Sequence, residues 1–103
     1  MPTSRKSPAP NGHPLAGSWS PEIEGDSNLI FTIASAGARL RVAAVDAYDG
    51  EKLTVSAVSW DDESVRFHTR TPSTGAKVEH ELKALPRGRA EYRFTIAQTW
   101  RRS

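Results

Sequence analysis

Six short stretches of this sequence alternate apolar with polar residues. Alternation places every second side chain on the same face of an extended strand, so each stretch has one dry face and one wet face. No internal repeat and no long helical period competes with the pattern. A run of such strands joined by tight turns builds a curled sheet or a small barrel.

The turns test this reading, because each turn dictates which residues face each other. Asp49-Gly50 is a two-residue hairpin signal. It pairs Val45 with Thr54, Ala44 with Val55 and Val42 with Ala57. A turn near Ala36-Gly37 pairs Ile33 with Leu40 and Phe31 with Val42. Both registers keep Leu29, Phe31, Ile33, Leu40, Val42, Ala44, Leu53, Val55 and Ala57 on one face.

In the second half, Pro72-Ser73-Thr74-Gly75 is a four-residue turn with Gly last. It pairs Thr69 with Val78, Phe67 with His80 and Val65 with Leu82. A turn at Pro86-Arg87-Gly88 pairs Leu82 with Tyr92, His80 with Phe94 and Val78 with Ile96. The wet face then sets Arg66 against Glu81, His68 against Glu79, Lys83 against Glu91 and Glu81 against Arg93. Opposite charges across a ladder each stabilise it by a few tenths of a kcal/mol. Arg70 opposite Lys77 is the one mismatch.

For the middle connection, a five-residue loop over Trp60–Ser64 pairs Ser59 with Val65 and Ala57 with Phe67, which preserves the dry face. A bulge near Trp60 is the alternative. With a less regular strand around Trp19 to Ile23 the count is about seven. The expected fold is all-β, an antiparallel up-and-down meander of about six to eight strands. It forms a small barrel, closed or incompletely closed. Residues 1–16, which hold four of the seven prolines, read as a disordered tail, and 17–103 as a single barrel domain.

Composition narrows the function classes. A chain of 103 residues has a small core. With no cysteine, disulfides, thiolate chemistry and Cys-based zinc sites are excluded. Lys and Arg number 14 against 12 Asp and Glu, but Arg5, Lys6, Arg101 and Arg102 sit at the two ends. Without those four the body is slightly acidic, which argues against a nucleic-acid binder. There is no apolar run of membrane-spanning length and no signal-peptide pattern at the N-terminus. A cytoplasmic location is the expectation, with neither nucleic acid nor membrane as partner.

Gly17-Ser18-Trp19 before the first strand resembles the Gly-X-Trp signature of the lipocalin and wider calycin families. The resemblance covers that motif, the meander and the basic end at Trp100-Arg101-Arg102. It implies an up-and-down barrel that binds a small apolar ligand. It also implies a clasp at the barrel's end, with Arg101 or Arg102 stacked on Trp19. The chain is shorter than a full lipocalin and lacks a Thr-Asp-Tyr motif and a helix after the barrel. Asp49-Gly50-Glu51, Trp60 and Pro72-Ser73-Thr74 also resemble a pattern in small bacterial proteins of unknown function.

One residue stands out on the dry face. Apart from the phenol of Tyr92, His80 is the only ionisable side chain that the registers turn inward, between Phe67 and Phe94. Burial disfavours the imidazolium, so His80 should be neutral at pH 7. Its expected hydrogen-bond partners are Tyr92, Thr69, Gln98 or a buried water. A fully packed core is the leading expectation; Ala44, Ala57 and Ser59 are small, so a shallow pocket against them is the other. The candidate ligand-binding residues are therefore His80, Phe67, Phe94, Tyr92, Thr69 and Ser59.

Other groups carry less. His68 belongs to the wet ladder, and His13, in the tail, has no expected structural role. The Thr71–Gly75 turn offers hydroxyls and N–H groups that could hold an anion. Arg39 and Arg41 are expected on the outer face with Arg39 over the Trp60 ring. No catalytic set, metal site or cofactor emerges.

The leading expectation is a non-catalytic, monomeric binder of a small apolar or amphipathic molecule. The alternative is a protein-interaction or accessory module that uses an exposed strand edge. An enzyme using His80 and Tyr92 as acid–base groups would lack a second polar partner.

Overall fold

The computed structural model describes residues 13–23, 27–97 and 100–102. The seven strands are β1 (Gly17–Trp19), β2 (Leu29–Ala36), β3 (Arg39–Asp46), β4 (Lys52–Trp60), β5 (Ser64–Arg70), β6 (Lys77–Leu85) and β7 (Arg89–Ala97). They lie in sequence order in one antiparallel sheet. The sheet curls into an open half-barrel, and the described residues contain no helix. Among them, then, there is no helix long and apolar enough to cross a membrane.

The registers of β5, β6 and β7 agree with the turn chemistry: Thr69↔Val78, Phe67↔His80 and Val65↔Leu82, then Leu82↔Tyr92, His80↔Phe94 and Val78↔Ile96. Arg66 and Glu81 form an ion pair at 3.2 Å. Lys83 faces Glu91 in register but lies 3.9 Å from Glu63, and Arg93 pairs with Glu91 along its own strand at 3.3 Å.

In the first half the faces are as expected as far as Val55, but the registers differ by two residues. The β2–β3 turn is Gly37-Ala38, and Ile33 faces Val42 and Phe31 faces Ala44. The β3–β4 connection is a four-residue loop in which Asp46 N–H donates to Glu51 O. Asp46 and Asp49 carboxylates accept the N–H groups of Tyr48 and Glu51, which stabilises the longer loop over a two-residue hairpin at Asp49-Gly50. Ala44 therefore faces Leu53. A shift of two leaves every side chain on its original face.

A bulge between Ser56 and Ser59, close to the alternative placed near Trp60, overturns the five-residue loop and its pairing of Ser59 with Val65. Ser56 faces His68 but Ser59 faces Arg66, and Ala57 takes φ 55°. The extra residue reverses the alternation, so Leu53 and Val55 pack on the core before the bulge, and Val58 and Trp60 after it. Ala57 and Ser59 are exposed, so neither supplies an inner wall. Trp60 pairs with Val65 and packs against the core, away from the outer face where Arg39 had been expected to cover it. Replacing Ala57 with Gly removes the left-handed strain of a Cβ-bearing residue, partly offset by a freer unfolded chain. The difference between these two effects leaves Ala57→Gly an expected gain of about 0.5–1 kcal/mol in urea unfolding; a loss would show that the methyl group packs.

The core is built by Leu15, Phe31, Ile33, Leu40, Val42, Ala44, Val65, Phe67 and Leu82. Leu15 precedes β1 and is fully buried. Residues 13–16 are therefore part of the fold, whereas the tail reading for 1–12 lies outside the described residues. Leu15 N–H donates to His13 Nδ1, which places the imidazole proton on Nε2, 2.6 Å from the Asp61 carbonyl. Asp61 in turn organises its loop by accepting the N–H groups of Glu63 and Ser64, and these bonds hold its carboxyl below the usual carboxylate range. His13 is thus a buried strap between the N-terminal segment and the β4–β5 loop, a role its setting among Pro and Gly did not suggest.

Candidate functional site

β5, β6 and β7 carry Phe67, His80 and Phe94 at one level of the sheet, because these residues face each other directly. The curl of the sheet brings Phe31 of β2 over them. Its ring lies 5.1 Å from Phe67, edge-on, 5.0 Å from His80 and 5.8 Å from Tyr92. Phe67 stacks on His80 at 5.0 Å, His80 on Tyr92 at 5.9 Å, and Tyr92 on Phe94 at 5.5 Å. Aromatic pairs at these separations add to the stabilisation that burial provides. Phe31 was legible as a dry-face residue, but its place in this cluster depends on the curl.

His80 is 1% exposed and has a partner on each nitrogen. Nε2 lies 2.7 Å from Thr69 Oγ1 and Nδ1 lies 2.8 Å from Tyr92 Oη. The phenol is the more acidic hydroxyl, so the favoured arrangement has Tyr92 O–H donating to Nδ1 and Nε2–H donating to Thr69 Oγ1. Burial, with a smaller contribution from the neighbouring His68, pushes the His80 imidazole down to about 4. Burial also pushes the Tyr92 phenol up to about 12. A weakly basic imidazole beside a weakly acidic phenol has little tendency to exchange a proton. Thr69, His80 and Tyr92 are therefore chemically suited to holding three strands together.

Of the six candidate ligand-binding residues, the structure brings five together. Phe67, Thr69 and His80 are buried in the cluster, while Tyr92 and Phe94 lie at its open rim. Ser59 faces outward beyond the bulge and is excluded. Gln98, a possible partner of His80, lies outside the described residues. The space beside His80 is filled by Phe31, Phe67 and Tyr92. Two concavities open elsewhere, on charged surface. One of about 730 Å³ lies by the β4–β5 loop and is lined by Trp60, Asp61 and Lys83 among others. One of about 120 Å³ lies between Glu81, Lys83, Glu91 and Arg93.

The Trp19 indole, expected to stack under Arg101 or Arg102, makes a local hydrogen bond to a carbonyl four residues earlier in the chain. Trp19 Nε1–H donates to the Leu15 carbonyl at 2.8 Å, and Arg101 and Arg102 are exposed. The preceding Leu15 is what the indole meets; an apolar residue isolated in a Pro-rich stretch was the available signal. The Thr71–Gly75 turn does hold an anion, the chain's own. The Ser73 N–H and Oγ–H both donate to the Glu51 carboxylate at 2.8 Å. Among the described residues no group of three or more His, Cys, Asp or Glu is placed to hold a metal ion.

No protein-family model matches the chain, and neither a curated protein nor a solved structure matches it. The lipocalin resemblance therefore rests on Gly17-Ser18-Trp19 and the meander.

Proposed function

We propose that this chain is a non-catalytic interaction module that takes an extended segment of a partner polypeptide along β7. One observation carries the reading. β7 is the last strand of the sheet, with no described strand on its outer edge, and its apolar face is only partly covered by the described residues. On that face Tyr92 is 37%, Phe94 56% and Ile96 51% exposed. An edge strand offers a row of unpaired N–H and C=O groups to another chain. Here the edge coincides with a strip whose coverage is favourable. Burying the exposed half of a Phe or Ile side chain is worth about 1 kcal/mol. Strand addition uses both features at once: backbone bonds supply affinity, and alternate side chains supply specificity.

Binding of a small apolar or amphipathic ligand, as the lipocalin resemblance implies, would use the same rim. It is less well supported, because the rings of Phe31, Phe67 and Tyr92 occupy the space next to His80. One experiment separates the two readings. Short random peptides displayed on phage and panned against the protein are expected to return alternating apolar–polar segments. Those peptides should shift the β7 amides in NMR spectra, and Phe94→Lys should abolish the shifts. Selected peptides that leave β7 unmoved, with fatty acids instead perturbing Phe67 and His80, would overturn the proposal.

A further inference from the structure

Resting on the reading of β7 as a docking edge, we infer that its partner is a second copy of this chain, paired antiparallel through β7 about a two-fold axis at Tyr92. The argument starts from face continuity. Residues directly opposite in a ladder lie on the same side of the sheet. For two apolar faces to join into one, the axis must pass through a residue and not between two. This leaves a handful of registers, and charge and overlap separate them.

An axis at Glu91 sets Glu91 against its own copy and Arg89 against Arg93. An axis at Arg93 sets Arg93 against its own copy. An axis at Ala90 does set Glu91 against Arg89 twice, but it overlaps only Arg89–Glu91 of the two strands and leaves Phe94 beyond the ladder; an axis at Phe94 or Thr95 pairs no opposite charges within β7. Only the axis at Tyr92 sets Glu91 against the second copy's Arg93, and does so twice by symmetry. It also sets Phe94, more than half exposed, against the small Ala90 of the second copy. The ring then has room to lie over the extended face.

The same register continues a charge row already present within one copy. Arg66 pairs with Glu81, and Glu81 faces Arg93. Across the seam Arg93 meets the second copy's Glu91, which in its own copy faces Lys83. The sign alternates at every strand from β5 of one copy to β6 of the other. Without the second copy, Arg93 turns to Glu91 of its own strand, with its side chain largely in solvent.

Sedimentation of the full chain from about 1 µM to about 1 mM reads the result, since an edge-strand interface is small and associates weakly. Wild type is expected to show a reversible monomer–dimer equilibrium. Glu91→Arg and Arg93→Glu, each verified as folded by circular dichroism, should raise the dimer Kd about tenfold or more, because like charges then face each other twice. An equal mixture of the two variants should regain the wild-type Kd, since both opposite-charge pairs re-form in the heterodimer. The E91R/R93E double variant should regain it as well. A wild type that stays monomeric throughout overturns the inference, as does a mixture no tighter than the single variants. If β7 amides of that monomer still respond to the selected peptides, only the identity of the partner has failed. If they do not respond, the docking reading fails with it.

Discussion

Leu15→Ala is expected to lower stability by about 3 kcal/mol, a large share of what a domain of this size holds. The side chain is fully buried among core residues drawn from four strands. Its truncation would remove the contact of the N-terminal segment with the core and leave a cavity. The segment is held at both ends, by the His13–Asp61 bond and by the Trp19 indole on the Leu15 carbonyl, so it cannot readily collapse to fill the gap. Thermal unfolding should fall by roughly 12–24 °C, at about 4–8 °C per kcal/mol for a small domain. The exposed neighbour gives a control: Ala16→Ser should change stability by no more than about 0.5 kcal/mol. A Leu15→Ala effect as small as that control would mean the segment lies off the core in solution.

The second large effect is acid destabilisation through His80. In the native state the imidazole stays neutral down to about pH 4, whereas in the unfolded chain it protonates near 6.5. Between these values the unfolded state binds more protons, so stability rises with pH in that window and is fully present above it. Acidifying from pH 7 to pH 4 should remove about 3 kcal/mol. Asp61, whose carboxyl is held below 3.8, adds its own loss only at still lower pH. Urea unfolding measured across pH 4–7 tests this. The slope should flatten in His80→Phe even though that variant starts from lower stability at neutral pH, having left the Thr69 hydroxyl without its partner. Stability that is level from pH 7 to pH 4.5 in the wild type would contradict the buried, neutral state.

The two halves of the chain differ in how much of this the amino-acid sequence discloses. For β5, β6 and β7 the registers are legible because two constraints of different origin agree. Pro72-Ser73-Thr74-Gly75 and Pro86-Arg87-Gly88 set the pairing, and Arg66, Glu81, Arg93, Lys83 and Glu91 would repel in a wrong one. His80 could be singled out for the same reason. In β2–β4 the alternation discloses the faces but not the exact pairing. Asp49-Gly50 has the chemistry of a two-residue hairpin, yet the Asp46 carboxylate on Tyr48 N–H favours a longer loop. A bulge near Trp60 was legible as the alternative, but its position was not, because its left-handed residue is Ala57, where local preference would place Gly. Core packing of Trp60 and Val58 overrides that preference. Leu15 and His13 were hidden because periodicity needs several residues to register, and here a single side chain enters the core. The partly covered rim at Phe94 and Ile96 follows from how far the sheet curls, a property of all seven strands together.

The ladder between β3 and β4 holds two residue pairs, Ala44↔Leu53 and Val45↔Lys52. Every other neighbouring pair from β2 to β7 shares five or more. The two halves of the molecule are therefore joined by few peptide groups and mainly by side chains, with Phe31 reaching from one half into the ring cluster of the other. Separating them would expose apolar surface while breaking few hydrogen bonds. Such an opening is opposed chiefly by water's aversion to that surface, a force that weakens on cooling. This small protein thus has a line of weakness along which low temperature, more than loss of secondary structure, would first work it loose.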